Sequence, residues 1–202
     1  MQLPRMMMCM AAAFSVATTS AAVLGPMGAA LAADSSSQNT VASAQDDASA
    51  KRVHMQLTAP GQLAQCMPHA DVQVDVKLTT EKKGFDTFEI TMRHVAPNRD
   101  YTVFLLEQAG FPFGAAEYIG EVSADAQGNG HAEYHLIVQE AFASTMVNGQ
   151  RVRADLNHVG LWFADPKDDD FCLGPNSPVT QFDGDNEAGV LAFGAPDSLP
   201  LP

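Results

Sequence analysis

The chain has 202 residues, 46% of them hydrophobic, with 24 Asp and Glu against 11 Lys and Arg. Leaving out Arg5 with the apolar N-terminus, 24 acids face ten bases, a net charge of −14. That balance argues against nucleic acid and anionic membrane surfaces as partners, since phosphate binding needs clustered Lys and Arg, and it leaves basic proteins and cations open.

Residues 1–33 read as a Sec-type signal peptide. Arg5 precedes an apolar and small-residue run from Met6 to Ala22, Gly25-Pro26 breaks it, and Ala30-Leu31-Ala32 offers a cleavage site. No twin arginine is present. Cleavage would remove Cys9 and leave no integral membrane segment. The protein is therefore expected to be secreted, extracellular or periplasmic. Residues 34–50, rich in Ser, Ala, Asp and Gln, read as a disordered spacer. A single domain is expected over 51–195, with a flexible tail at 196–202.

Along that domain a period of two dominates. "VHMQL" (53–57) suits a first strand. In "DVQVDVKLT", Val72, Val74, Val76 and Leu78 share one face, and in "TFEITMRHV" so do Phe88, Ile90 and Met92. "HAEYHLIV" and "RVRADL" repeat the pattern, burying Ala132, Tyr134, Leu136 and Val138, then Val152, Ala154 and Leu156. "YTVFLL" and "VGLWF" are apolar on both faces, as interior strands are. "EKKGFD", "APNRD" and "ADAQGNG" supply turn residues. "QEAFASTMV" (139–147) is the one stretch read as a helix, of about two turns. The expected fold is all-β, a single antiparallel β-sandwich of about seven or eight strands with at most one short helix.

In "VAPNRDY", Val95, Pro97 and Tyr101 fall at i, i+2 and i+6. This resembles the segment that precedes a strand in fibronectin type III and other immunoglobulin-like sandwiches. The resemblance covers about ten residues. It implies a tyrosine corner, in which the Tyr101 hydroxyl bonds back to the turn backbone, and it concerns architecture alone. The rest of the chain departs from that family, lacking its paired-tryptophan framework.

Cys66 and Cys172 are the two cysteines left after leader removal. In an oxidising compartment they are expected to pair, closing a loop of about 107 residues. No G-x-S-x-G, H-E-x-x-H, C-x-x-C or phosphate-cradling glycine loop occurs, so no catalytic residues are nominated and a non-catalytic protein is expected.

Three groups carry the remaining chemistry. His131, Glu133 and His135 alternate on one strand face, a donor set that suits zinc, copper or iron(II); a solvated outer face accounts for the same spacing. Asp168, Asp169, Asp170, Asp183, Asp185 and Glu187 form an acidic rim that two loops could fold around calcium as a cofactor, or whose carboxylates cap backbone amides. Phe111 and Phe113 flank Pro112 in a glycine-bounded loop, either a recognition tip or a lid over the core. Trp162, the single tryptophan, is expected in the core or beside the disulfide. The function expected is binding, at or outside the cell surface, to a protein or surface ligand, with a metalloprotein or a calcium-ordered structural domain as alternatives.

Overall fold

The computed structural model describes residues 50–181 and 187–202. The leader with Cys9 and almost all of the spacer, residues 34–49, lie outside the described residues, as do Asp183 and Asp185. No helix among the described residues is long and apolar enough to cross a membrane.

The described chain is mostly strand, in antiparallel sheets. β1 (Lys51–Leu57), β2 (Asp71–Leu78), β3 (Asp86–Arg93) and β6 (Gly130–Leu136) form one four-stranded sheet in the order β1-β2-β3-β6. β4 (Asp100–Leu106), β5 (Ala116–Ser123), β9 (His158–Phe163) and β10 (Leu191–Gly194) form the second, in the order β10-β9-β4-β5. β7 (Phe142–Val147) and β8 (Gln150–Asp155) pair only with each other, as a two-stranded ribbon. Single helical turns at Leu63–Cys66, Thr80–Lys83 and Asp170–Leu173 fill connections.

The alternation in the sequence sets the register. Val76 stands opposite Phe88 and Phe88 opposite Tyr134; Val74 stands opposite Ile90 and Ile90 opposite Ala132. One core cluster joins these residues to Tyr101, Val103, Leu105, Leu161 and Phe163 of the second sheet. Both faces of β4 and β9 are covered. Phe104, Leu106 and Trp162 point away from the main core into a second, smaller cluster with Ala188.

Two segments depart from the sequence reading. Residues 139–147 do not form a helix; Phe142–Val147 is strand β7. Asn148 (φ 49°) and Gly149 (φ 79°) form the left-handed two-residue turn of a tight hairpin, which outweighs the helix-forming Glu, Ala and Met nearby. Val152, expected inside, stays exposed because its ribbon extends past the core, whereas Ala154 and Leu156 are buried. Near the C-terminus Leu199 is buried and its N–H donates to the Asn157 carbonyl at 2.7 Å.

β5 and β6 belong to different sheets and meet at a corner, where the Tyr134 hydroxyl donates to the Glu121 carbonyl at 2.6 Å. Burial, with Tyr118 and Glu121 nearby, pushes this phenol up to about 12. The ring lies over Gly120 (φ 151°), where any Cβ would run into it. Gly120→Ala is expected to destabilise the protein by about 1–3 kcal/mol through overpacking on a strained backbone. Tyr134→Phe should cost only about 0.5–1.5 kcal/mol, the worth of one hydrogen bond. Urea unfolding midpoints of the two variants check both values, and Gly120→Ala/Tyr134→Leu should regain part of the loss.

Candidate functional site

The outer face of the first sheet carries His131, Glu133 and His135, all exposed as their alternation requires. Each histidine is engaged separately. His131 Nε2 and Glu89 Oε1 are hydrogen-bonded at 2.8 Å, and His135 Nε2 and Glu133 Oε1 at 3.1 Å. The His135 ring also stacks on Phe85 at 4.6 Å. His54 makes a third such pair, Nδ1 to Asp75 Oδ1 at 3.1 Å. Cross-strand neighbours supply the partners of His54 and His131, whereas Glu133 lies two residues from His135 on the same strand; Asp75, Glu89 and Glu133 face one another across β2, β3 and β6. Among the described residues, no group of three or more His, Cys, Asp or Glu is arranged to hold a metal ion.

The acidic rim begins at a turn. Pro166 follows β9 and opens the 3-10 turn Pro166–Asp169, with Asp165 accepting the Lys167 N–H at 2.8 Å. Asp168 pairs with Arg99 at 3.1 Å; burial holds its carboxyl above the ordinary aspartate value although Arg99 opposes this. Asp169 is fully buried, accepting the Ser177 hydroxyl at 2.5 Å and the Val190 N–H at 3.1 Å. At Gly189 the chain approaches so closely that a Cβ would lie 2.9 Å from Phe163 Cβ and 3.0 Å from Asp169 Oδ2. Asp170 starts the helical turn that carries Cys172, and Glu187 is exposed. Asp168 and Asp169 thus tie protein segments together. Cys172 is bonded to Cys66, with Cα atoms 5.9 Å apart.

The third group forms a groove on the outer side of the second sheet. Trp162, Phe104 and Phe113 pack edge to face there, with ring centres 5.5 Å apart for Phe104–Trp162 and 5.0 Å for Phe113–Trp162. The loop that delivers Phe113 is pinned. Gln108 N–H donates to the Phe113 carbonyl at 3.0 Å, and the Glu107 carboxylate accepts the Ala115 N–H at 2.8 Å. Gly114 (φ 72°) permits that reversal, because a Cβ would strike the Glu107 carboxylate. Phe111 stands at the rim of the groove, edge to face with Phe113 at 6.3 Å between ring centres, and is 90% exposed.

Pro178, Val179 and Thr180 form the opposite wall, anchored by paired Thr180–Ala188 backbone bonds of 2.8 and 2.7 Å. The space between is about 760 Å³ and no charged residue lines it. Such a concave, apolar and uncharged site suits small molecules or single apolar side chains. The sequence presents Phe111 and Phe113 as either recognition tip or lid, and the structure separates them: Phe113 covers Trp162 while Phe111 faces solvent. The sequence reading did not find Thr180 and its neighbours as the second wall, nor Phe104, backed by the buried Trp162, as part of the floor. Their only signals were Pro178 beside Val179 and an apolar strand with two apolar faces. Compared with known proteins, the chain matches no family model, no curated protein and no solved structure.

Proposed function

We propose that this protein is an exported, non-catalytic β-sandwich of immunoglobulin or fibronectin type III character that binds an uncharged, apolar ligand group in the groove beside Phe111. The observation that carries this reading is the pairing of a nearly fully exposed phenylalanine with an uncharged cavity floored by aromatic rings. In a chain of such negative charge, a lining without one charged residue selects for apolar over ionic ligands. Support for the sandwich comes from two antiparallel sheets sharing one core, and from the Tyr101 hydroxyl, buried and 3.4 Å from the Ala96 carbonyl it donates to. Support for export comes from the leader pattern of residues 1–33 and from the Cys66–Cys172 disulfide, which suits an oxidising compartment.

A neutral solvatochromic dye such as Nile red is the probe for the groove. The wild-type protein should enhance and blue-shift its emission, and Phe111→Ser should weaken binding by about tenfold, as loss of roughly 1.4 kcal/mol of apolar contact implies. Because Phe111 contributes little to the core, the melting temperature should not move. Unchanged dye binding in Phe111→Ser would refute the groove as the binding surface.

A further inference from the structure

The β7–β8 ribbon is a two-stranded sheet among the described residues, so both of its strands are edge strands. It also gathers exposed apolar surface. Phe142, Met146, Val147 and Val152, with Ile137 just before, are five of the nine large hydrophobic side chains exposed among the described residues. Apolar exposure of this density marks a surface that is covered in the working protein.

The two edges of the ribbon differ in chemistry. β8 carries Arg151, Arg153 and Asp155. Its arginines turn toward β7: Arg153 lies 4.1 Å over the Phe142 ring, and Arg151 donates to the Ser144 hydroxyl at 2.9 Å. β7, by contrast, reads Phe-Ala-Ser-Thr-Met-Val, with no charge, proline or glycine. Exposed edges are normally blunted by charges, prolines or bulges, and the other edge strands among the described residues follow that rule, β6 through His131, Glu133 and His135. β1 has Lys51, Arg52 and His54; β5 has Glu117, Glu121 and an irregular register; β10 is four residues long and irregular. Among the described edge strands, β7 alone is left unprotected.

We infer that β7 is a self-association edge, on which two copies of this chain pair their β7 strands antiparallel to build a four-stranded sheet. A second copy is the occupant the chemistry of the edge fits. β7 carries no charge, so two β7 strands meet without the like-charge repulsion a charged edge would bring, while the acidic bodies behind them still repel. The charged β8 edges then lie outermost and stop the sheet from growing, which gives a closed dimer instead of a filament. Side-chain direction fixes the register. Phe142, Ser144 and Met146 share one face, and this face is continuous across the dyad when Ser144 stands opposite Ser144 and Phe142 opposite Met146 of the other copy.

Sedimentation equilibrium across a wide concentration range tests this. A monomer–dimer equilibrium is expected that tightens as salt rises, because screening relieves the repulsion between two acidic bodies. Ser144→Lys should weaken the dimer by at least about tenfold while the dilute protein keeps its melting temperature. Opposed Cα atoms about 4.5–5.5 Å apart lie within disulfide reach, so Ser144→Cys should crosslink two copies on mild oxidation and Gln150→Cys on β8 should not. Where Ser144→Lys disturbs the ribbon, the crosslink decides. A monomer at every concentration and salt, a dimer indifferent to Ser144→Lys, or crosslinking at Gln150→Cys alone would each overturn the inference.

Discussion

Asp86→Asn is expected to destabilise the protein by about 3 kcal/mol or more at neutral pH. The Asp86 carboxylate is fully buried at the start of β3 and accepts four backbone N–H groups. Oδ1 takes those of Thr79 and Thr80 at 2.7 and 2.8 Å, and Oδ2 those of Val138 and Gln139 at 3.0 and 3.1 Å. One side chain thereby holds the turn after β2 against the segment leaving β6. An asparagine presents one acceptor oxygen and an NH2 donor, so two of these amides lose their partner and face another donor. Leaving a buried donor unpaired costs about 1–3 kcal/mol each.

The same geometry determines the pH dependence. Burial raises the Asp86 carboxyl, but the amides of Gln139, Val138 and Thr79 outweigh it, and the group ends below the ordinary aspartate value. A depressed folded value means the unfolded chain takes up the proton first. The contribution of Asp86 to stability is therefore complete above the unfolded value of about 3.9 and falls as pH drops below it toward the folded value. Urea unfolding at pH 7, 4 and 2.5 should show a gap between wild type and Asp86→Asn that is widest at pH 7 and narrows on acidification. A gap under about 0.5 kcal/mol at pH 7 would show that the four amides are satisfied without the carboxylate.

Removal of the disulfide should have the second large effect. Cys66 ends one helical turn and Cys172 lies in another, 106 residues later. The turns also meet through Gln62 Nε2, which donates to the Cys172 carbonyl at 2.8 Å. In the loop-entropy account a crosslink over this span stabilises by up to about 4.7 kcal/mol, by restricting the unfolded chain. Cys66→Ser/Cys172→Ser should therefore stay folded but melt about 10–15 °C lower, given roughly 2–4 °C per kcal/mol at this size. Calorimetry of the double variant beside the oxidised and reduced wild type measures this. A double variant melting with the oxidised protein would show that the native contacts at the two turns suffice alone.

How much of this was legible beforehand depends on whether a feature is local. β2, β3 and β6 could be read because Val72, Val74 and Val76, Phe88 and Ile90, and Ala132 and Tyr134 alternate without interruption, and a strand with one buried face must alternate. β5 was missed because Gly120 and the register irregularity opposite Val103 and Phe104 interrupt its pattern. β7 was read as helix although Asn148-Gly149, a strong hairpin signal, stood directly after it. Six residues are too few for periodicity to separate strand from helix. β10 is only four residues long and carries its own register shift.

The candidate sites divide along the same line. The amino-acid sequence by itself determined the strand faces, the turn positions, the one-sided charge and the pair of cysteines available to each other. Each of these depends on residue type and near-neighbour spacing. Only the tertiary structure decided that Phe113 covers Trp162 while Phe111 stays exposed at the groove rim, although the two are separated by Pro112 alone. It likewise turned Asp169 from a candidate ion ligand into a tie between Ser177 and Val190, gave His131 and His135 different carboxylate partners, and buried Asp86 under four amides. Those outcomes depend on which distant backbone donors and rings arrive at the same point. The sheet order, linking residues more than fifty positions apart, determines that meeting.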